Sequence, residues 1–176
     1  TGIDYWPAFL ETIERRQTFY IGLEEGVSRM VGLYPGLRAL GLGHWPAQVL
    51  HWSLTAAIAL AVWRVWARTD AIRLRAAAVL AGTPMAAPFV WHYDAVLLVP
   101  ATVLAAGAGA ARGPRGRTVL ALAWIGPAIG IFVHETVPMT LFCLPGALGC
   151  LVLALRAADR AHPEGGHVLT AGREGA

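Results

Sequence analysis

"AQVLHWSLTAAIALAVWRVW", residues 47–66, carries one formal charge, Arg64, close to its far end. A helix over such a stretch rises about 30 Å, the thickness of a bilayer's hydrocarbon core. Four more apolar blocks follow: "LRAAAVLAGTPMAAPF" (74–89), "WHYDAVLLVPATVLAAGAGAA" (91–111), "TVLALAWIGPAIGIFVHE" (118–135) and "PMTLFCLPGALGCLVLALRAA" (138–158). The whole chain agrees. It has 176 residues, 56% hydrophobic and only 14% charged, with a mean hydropathy of +0.54. A soluble domain has about a quarter of its residues charged. The expected fold is all-α: a polytopic integral membrane helical bundle of about five membrane segments after an amphipathic lead on the outer face.

A full crossing takes about 20 residues, so blocks 74–89 and 118–135 are short and are expected to be tilted, kinked or partly re-entrant. Pro100, Pro127 and Pro145 fall inside blocks, where neighbouring helices can satisfy the freed carbonyls. Arginine, the chain's sole basic residue type apart from histidine, then orients the bundle. Connector 64–75 carries Arg64, Arg68, Arg73 and Arg75 against Asp70, connector 112–117 carries Arg112, Arg115 and Arg117, and the exit carries Arg156 and Arg160. Connectors 83–92 and 134–138 carry none. The positive-inside bias predicts such alternation, so the arginine connectors and the C-terminus are expected in the cytoplasm.

Three regions are expected: interfacial helices and turns on the outer face over 1–46, the transmembrane bundle over 47–158, and a disordered cytoplasmic tail over 159–176. In the lead, Trp6, Phe9, Leu10 and Ile13 recur at helical spacing, with Glu11 and Arg15 as an i,i+4 pair. "GLEEGVSRMVGLYPGLRALGLG" (22–43) follows, and its glycines predict two short helices joined by turns. The chain begins at Thr1 within this polar lead, which suggests the back part of a longer protein.

A net charge of +3 without a basic face excludes nucleic acid as a partner. Cys143 and Cys150 lie on one helix face, too far apart along it for a disulfide, and read as packed thiols. No zinc spacing, phosphate-binding loop, dinucleotide fingerprint or nucleophile elbow is present, so neither metal nor cofactor is expected.

"FVWHYDAVLL" (89–98) sets His92, Tyr93 and Asp94 in an apolar setting, at the outer end of the third block. An ionisable group inside a span costs several kcal/mol and normally faces protein or a wet cavity. Asp94 and His92 are therefore candidates to line an outward-facing polar site, with Pro84 and Pro88 bending the backbone just before them. The alternative is a headgroup position, with Trp91 and Tyr93 as interfacial aromatics. Glu24, Glu25 and Arg29 are candidates for binding a polar ligand, or else solvated. His134 and Glu135 share the outer side. His51, between Trp45 and Trp52, reads as a headgroup-level anchor.

"DYWPAFLETI" (4–13), "LEEGVSRMVGLYPGLRALGLGHWPAQVLHW" (23–52) and "AAAVLAGTPMAAPFVWHYDAVLLVPA" (76–101) together resemble the C-terminal half of glycosyltransferase family 87. Trp6, Phe9 and Leu10 match its first motif, Glu24, Glu25 and Gly26 its second, and Pro88, Tyr93, Asp94, Leu97 and Leu98 its third. Phe89, His92 and Ala95 depart from it.

The resemblance implies a membrane transferase of the glycosyltransferase C superfamily in the bacterial cytoplasmic membrane. Such an enzyme moves a hexose, typically mannose, from a polyprenyl-phosphate donor to a glycolipid or glycan acceptor on the outer face. It also implies a catalytic acid in an outer loop upstream of Thr1, so that these residues alone are expected to be inactive. His92 or Arg29 would then contact the phosphate, and Asp94 a sugar hydroxyl, or it would orient His92 or an arginine. The competing expectation, from another class, is a transporter or flippase subunit, since broken helices and an intramembrane acid also mark translocation paths.

Overall fold

The computed structural model describes residues 2–3, 5–22 and 27–161. Among them the helices run, in chain order, α1 (Tyr5–Gly22), α2 (Leu33–Ala39), α3 (His44–Arg68), α4 (Ile72–Ala86), α5 (Leu98–Gly107), α6 (Gly113–Val133) and α7 (Thr140–Ala161). A 3-10 segment, His92–Leu97, leads into α5. The described residues contain no strand, only one isolated antiparallel bridge between Met30 and Trp91.

Proline and glycine set the helix limits. The chain enters α3 from extended Gly43 and carries Pro46 in the first turn, where a missing N–H costs nothing. At the other end Arg75 closes the α3–α4 turn. Its guanidinium donates to the carbonyls of Thr69 (2.7 Å) and Trp66 (3.0 Å) and to Asp70 Oδ1 (2.7 Å), and lies 5.0 Å from the Trp66 ring centroid. Carbonyls that a helix end leaves orphaned are thereby satisfied. Helix α4 stops at Ala86 because Ala87 precedes Pro88 and is driven extended, at φ −84° and ψ 135°.

Helices α3, α6 and α7 are each long and apolar enough to cross a membrane. The other two expected segments are shorter. Helix α4 has 15 residues, and the third block is a 3-10 turn followed by only 10 residues of α5. Helix α4 ends beside the middle of α3, where Thr55 donates to the Ala86 carbonyl, and starts beside the end of α5, where Arg73 reaches the Gly107 carbonyl. Helix α4 is central, packed against α3, α5 and α7.

The distribution of side-chain size is that of a protein solvated by lipid. The buried seam is built from small residues: Ala77, Ala78 and Ala81 on α4, Ala101 and Ala105 on α5, Gly126 on α6, and Gly146, Cys150 and Ala154 on α7. Large apolar groups face outward instead, among them Trp52, Trp63, Ile125 and Phe132, the last 86% exposed. In water that arrangement would forfeit most of the hydrophobic driving force. In a bilayer, close packing through small residues holds helices together and large groups contact lipid. Exposed Trp45 and Trp66 on α3 stand about 31 Å apart along its axis, matching two interfacial belts. Both cysteines are free and buried.

A hydrogen bond between two side chains joins α6 to α5: Trp124 Nε1–H donates to Thr102 Oγ1, and that hydroxyl in turn donates to the Val99 carbonyl at 2.7 Å. Trp124→Phe keeps an aromatic ring and removes the donor. A loss of about 1 kcal/mol is expected in unfolding measured in detergent micelles, the usual scale for such bonds in membranes. An unchanged midpoint would show the bond contributes nothing.

The lead divides into two parts. Helix α1 keeps Tyr5, Trp6, Phe9 and Leu10 exposed, and Arg15 Nη2 pairs with Glu11 Oε1 at 2.6 Å as its spacing predicts. The Ile13 side chain is outside the described residues. In the second part Val27, Met30, Val31 and Tyr34 are buried against the bundle. Helix α7 continues to Ala161, so 159–161 extend it; residues 162–176, expected to be disordered, lie outside the described residues.

Candidate functional site

The two ends of the bundle differ in chemistry. One gathers the arginine connectors, where Arg64 Nε lies 3.5 Å from Asp159 Oδ1 and Arg75 binds Asp70. The other gathers the candidate polar residues around segment 27–32. The backbone N–H of Val31 donates to the Val90 carbonyl at 2.9 Å, that of Met139 donates to the Ser28 carbonyl at 3.0 Å, and Met30 bridges Trp91. Buried Thr140 fastens the segment to α7, its hydroxyl lying 2.8 Å from the Gly32 carbonyl and 3.1 Å from that of Met30. Gly36 leaves room for this, since a Cβ there would fall 2.5 Å from Thr140 Oγ1.

Arg29 and His92 flank the two bridged residues, so candidates 63 positions apart in sequence are carried on adjoining stretches of backbone, the pairing itself stopping where His92 opens the 3-10 segment. Arg29 is exposed and His92 half-buried, with its Nδ1 buried and unpartnered. Tyr93 is 61% exposed and stacks on Trp91 at 6.4 Å between ring centroids, the geometry of an interfacial aromatic pair. Asp94 is half-buried, and its Oδ2 accepts the Trp91 N–H at 3.1 Å while its own N–H donates to the Trp91 carbonyl at 3.0 Å. Such a reciprocal pair caps the 3-10 segment. Asp94 therefore fixes the backbone bearing His92 rather than bonding to the His92 ring. Glu24 and Glu25 lie outside the described residues.

Three residues at this end carried no site assignment in the sequence reading, or a different one. Buried Tyr34 has its hydroxyl 2.9 Å from His44 Nδ1, to which it donates when His44 is in the Nε2–H tautomer, and its ring meets Phe89 edge-on at 5.9 Å. Burial pushes the Tyr34 phenol above its ordinary pKa, while the Arg38 charge opposes the shift. His51 is not a headgroup anchor. It is fully buried beside the Ala86 carbonyl and the Tyr34 ring, and neither ring nitrogen has a hydrogen-bond partner. The signal was present in the spacing: Ala47, His51, Ile58 and Val65 share the inward face of α3, whereas Trp45 and Trp52 point outward. His134, after α6, donates Nδ1–H to the Ile131 carbonyl at 2.8 Å and leaves Nε2 buried and unpartnered, while Glu135 is exposed.

Orphaned buried polar atoms are uncommon in folded proteins and call for an explanation. Here three imidazoles, on His51, His92 and His134, carry them. Among the described residues no three His, Cys, Asp or Glu side chains come together as a metal-ligand set. The arrangement suits hydrogen bonding to a polar ligand that bears both donors and acceptors.

Fold and site together define a helical membrane protein with one polar, histidine-bearing end. No family model, curated protein or solved structure matches the chain.

Proposed function

We propose that the chain is the C-terminal part of a membrane glycosyltransferase that moves a hexose, mannose first among them, from a polyprenyl-phosphate donor to a glycolipid or glycan acceptor. The observation that carries the reading is the Met30–Trp91 bridge, whose flanking residues are Arg29 and His92, beside the Asp94 cap, at the end of the bundle away from the arginine connectors. By the positive-inside bias that end faces outward. A lipid-linked donor keeps its tail in the bilayer and its phosphosugar at the interface. Arg29 and His92 offer N–H donors to the leaving phosphate, and stabilising that charge is a main requirement of the transfer. Asp94 keeps the segment carrying His92 in place and offers its free carboxylate oxygen to a sugar hydroxyl. The interrupted third segment also suits a transporter or flippase.

The test is transfer of labelled mannose from polyprenyl-phosphate mannose in membranes, with the complete reading frame expressed at equal level in each variant. Asp94→Asn removes the charge and retains an oxygen for the Trp91 N–H, so the cap survives. Transfer is expected to fall at least tenfold, about 1.4 kcal/mol in barrier terms. Transfer unaffected by Asp94→Asn would reduce Asp94 to its capping role. No transfer from any polyprenyl-phosphate sugar would favour translocation instead.

A further inference from the structure

We propose that the cleft at the arginine-bearing end is a binding site for a phosphate group. It lies between the start of α4, the turn after α5 and the last turn of α7, and encloses about 480 Å³. Arg73, Arg112 and Arg160 line it, and among the described residues no acidic side chain does. The nearby acids are occupied elsewhere, Asp70 by Arg75 and Asp159 by Arg64. Among the described residues none of the three lining arginines has an ion-pair partner, and Arg112 and Arg160 make no hydrogen bond. Three like charges around one cleft repel each other unless an anion joins them.

The floor of the cleft is shaped for these side chains. Gly109 adopts φ +71°, a left-handed conformation that disfavours any side chain, and a Cβ there would lie 3.6 Å from Arg112 Nε. At Gly107 a Cβ would lie 3.8 Å from Arg73 Nη1, which donates to the Gly107 carbonyl at 3.4 Å. Two guanidinium groups thus rest on bare backbone. Each guanidinium has five N–H donors in a planar fork that matches phosphate oxygens, and Arg73 spends only one on protein. The N-terminus of α4 also opens here with no side chain capping it, adding a favourable dipole. Ile72, on the cleft wall, is 69% exposed, an apolar flank beside the charges.

Two sources supply a phosphate at this place, the headgroup of an anionic lipid or a free phosphate-bearing solute. The inference needs only membrane insertion and does not rest on the transferase reading. The purified protein in an uncharged detergent would be unfolded thermally while short-chain phosphatidylglycerol, short-chain phosphatidylcholine or inorganic phosphate is titrated. A ligand bound by the folded state raises the midpoint with its concentration.

Phosphatidylglycerol is expected to protect and phosphatidylcholine not to. The R73Q/R112Q/R160Q variant should need at least tenfold more lipid, and R115Q/R117Q/R156Q, equal in charge but outside the cleft, less than twofold more. R112Q alone, which breaks no described protein contact, should need severalfold more and guards against misfolding of the triple variant. Protection by phosphatidylglycerol but not by phosphate assigns the lipid headgroup. Protection by phosphate, lost in the cleft variants, assigns a free solute. No protection by either, or equal loss in the variant outside the cleft, overturns the site.

Discussion

Gly146→Val is expected to destabilise the bundle by about 3 kcal/mol, the upper range for overpacking, because the obstacle is backbone. A Cβ at Gly146 would stand 2.5 Å from Ala123 Cα and 2.8 Å from Ala123 N. From the other side, a Cβ at Gly126 would run into the Phe142 carbonyl oxygen. Helices α6 and α7 therefore touch main chain to main chain, and no rotamer change can relieve an added methyl. The helices would have to part, and every contact along their seam would loosen. Reversible unfolding in mixed micelles reads the loss. Gly43→Ala is the control, since a Cβ there meets only Pro46 at 3.5 Å or more, and it should shift stability by less than about 0.5 kcal/mol. A Gly146→Val protein as stable as the parent would show that the seam opens freely.

His51→Leu should have the opposite sign. His51 is fully buried with both ring nitrogens unpartnered, and an unsatisfied buried polar group costs about 1–3 kcal/mol. Leucine has similar bulk and nothing to satisfy, so the variant is expected to gain stability in that range. On the transferase reading proposed above, sugar transfer should fall at least tenfold in the same protein, because a group kept at a cost to the fold is one the activity uses. Unfolding and transfer measured side by side separate the roles. A stability loss would mean that the ring has partners in the membrane, and a gain with full transfer would make it a packing residue.

Much of the bundle was legible because spans announce themselves by length. Blocks 47–66, 118–135 and 138–158 correspond to α3, α6 and α7: α3 gains a few residues at both ends, α6 starts five residues earlier and stops two earlier, and α7 starts two later and stops three later. The third block was not legible as a break. Past Asp94 the block is apolar without interruption, and what divides it is the Asp94 cap that winds His92–Leu97 into a tighter helix. At the candidate site, neighbours in sequence were found and neighbours in space were not. His92 and Asp94 stood out by cost, whereas the approach of the stretches carrying Arg29 and His92 depends on a bridge between Met30 and Trp91, 61 positions apart. His51 was misread because flanking tryptophans drew attention to the outer face, while its i−4 and i+7 partners marked the inner one.

The shortness of α4 has a consequence for how the protein is made. At 15 residues it rises about 22 Å, against about 37 Å for the 25 residues of α3 beside it. The space past its end is filled by irregular chain, 29–32 against 87–91 and 138–139, fastened by Thr140. Bare carbonyls and N–H groups at that depth are tolerable only inside protein. Segment 27–32 is synthesised before α3, yet one of its partners, Thr140, stands at the head of α7. Helices α3 to α6 must therefore be made before the segment can be fastened, and a nascent chain stalled short of α7 would sit in the bilayer with an open seam.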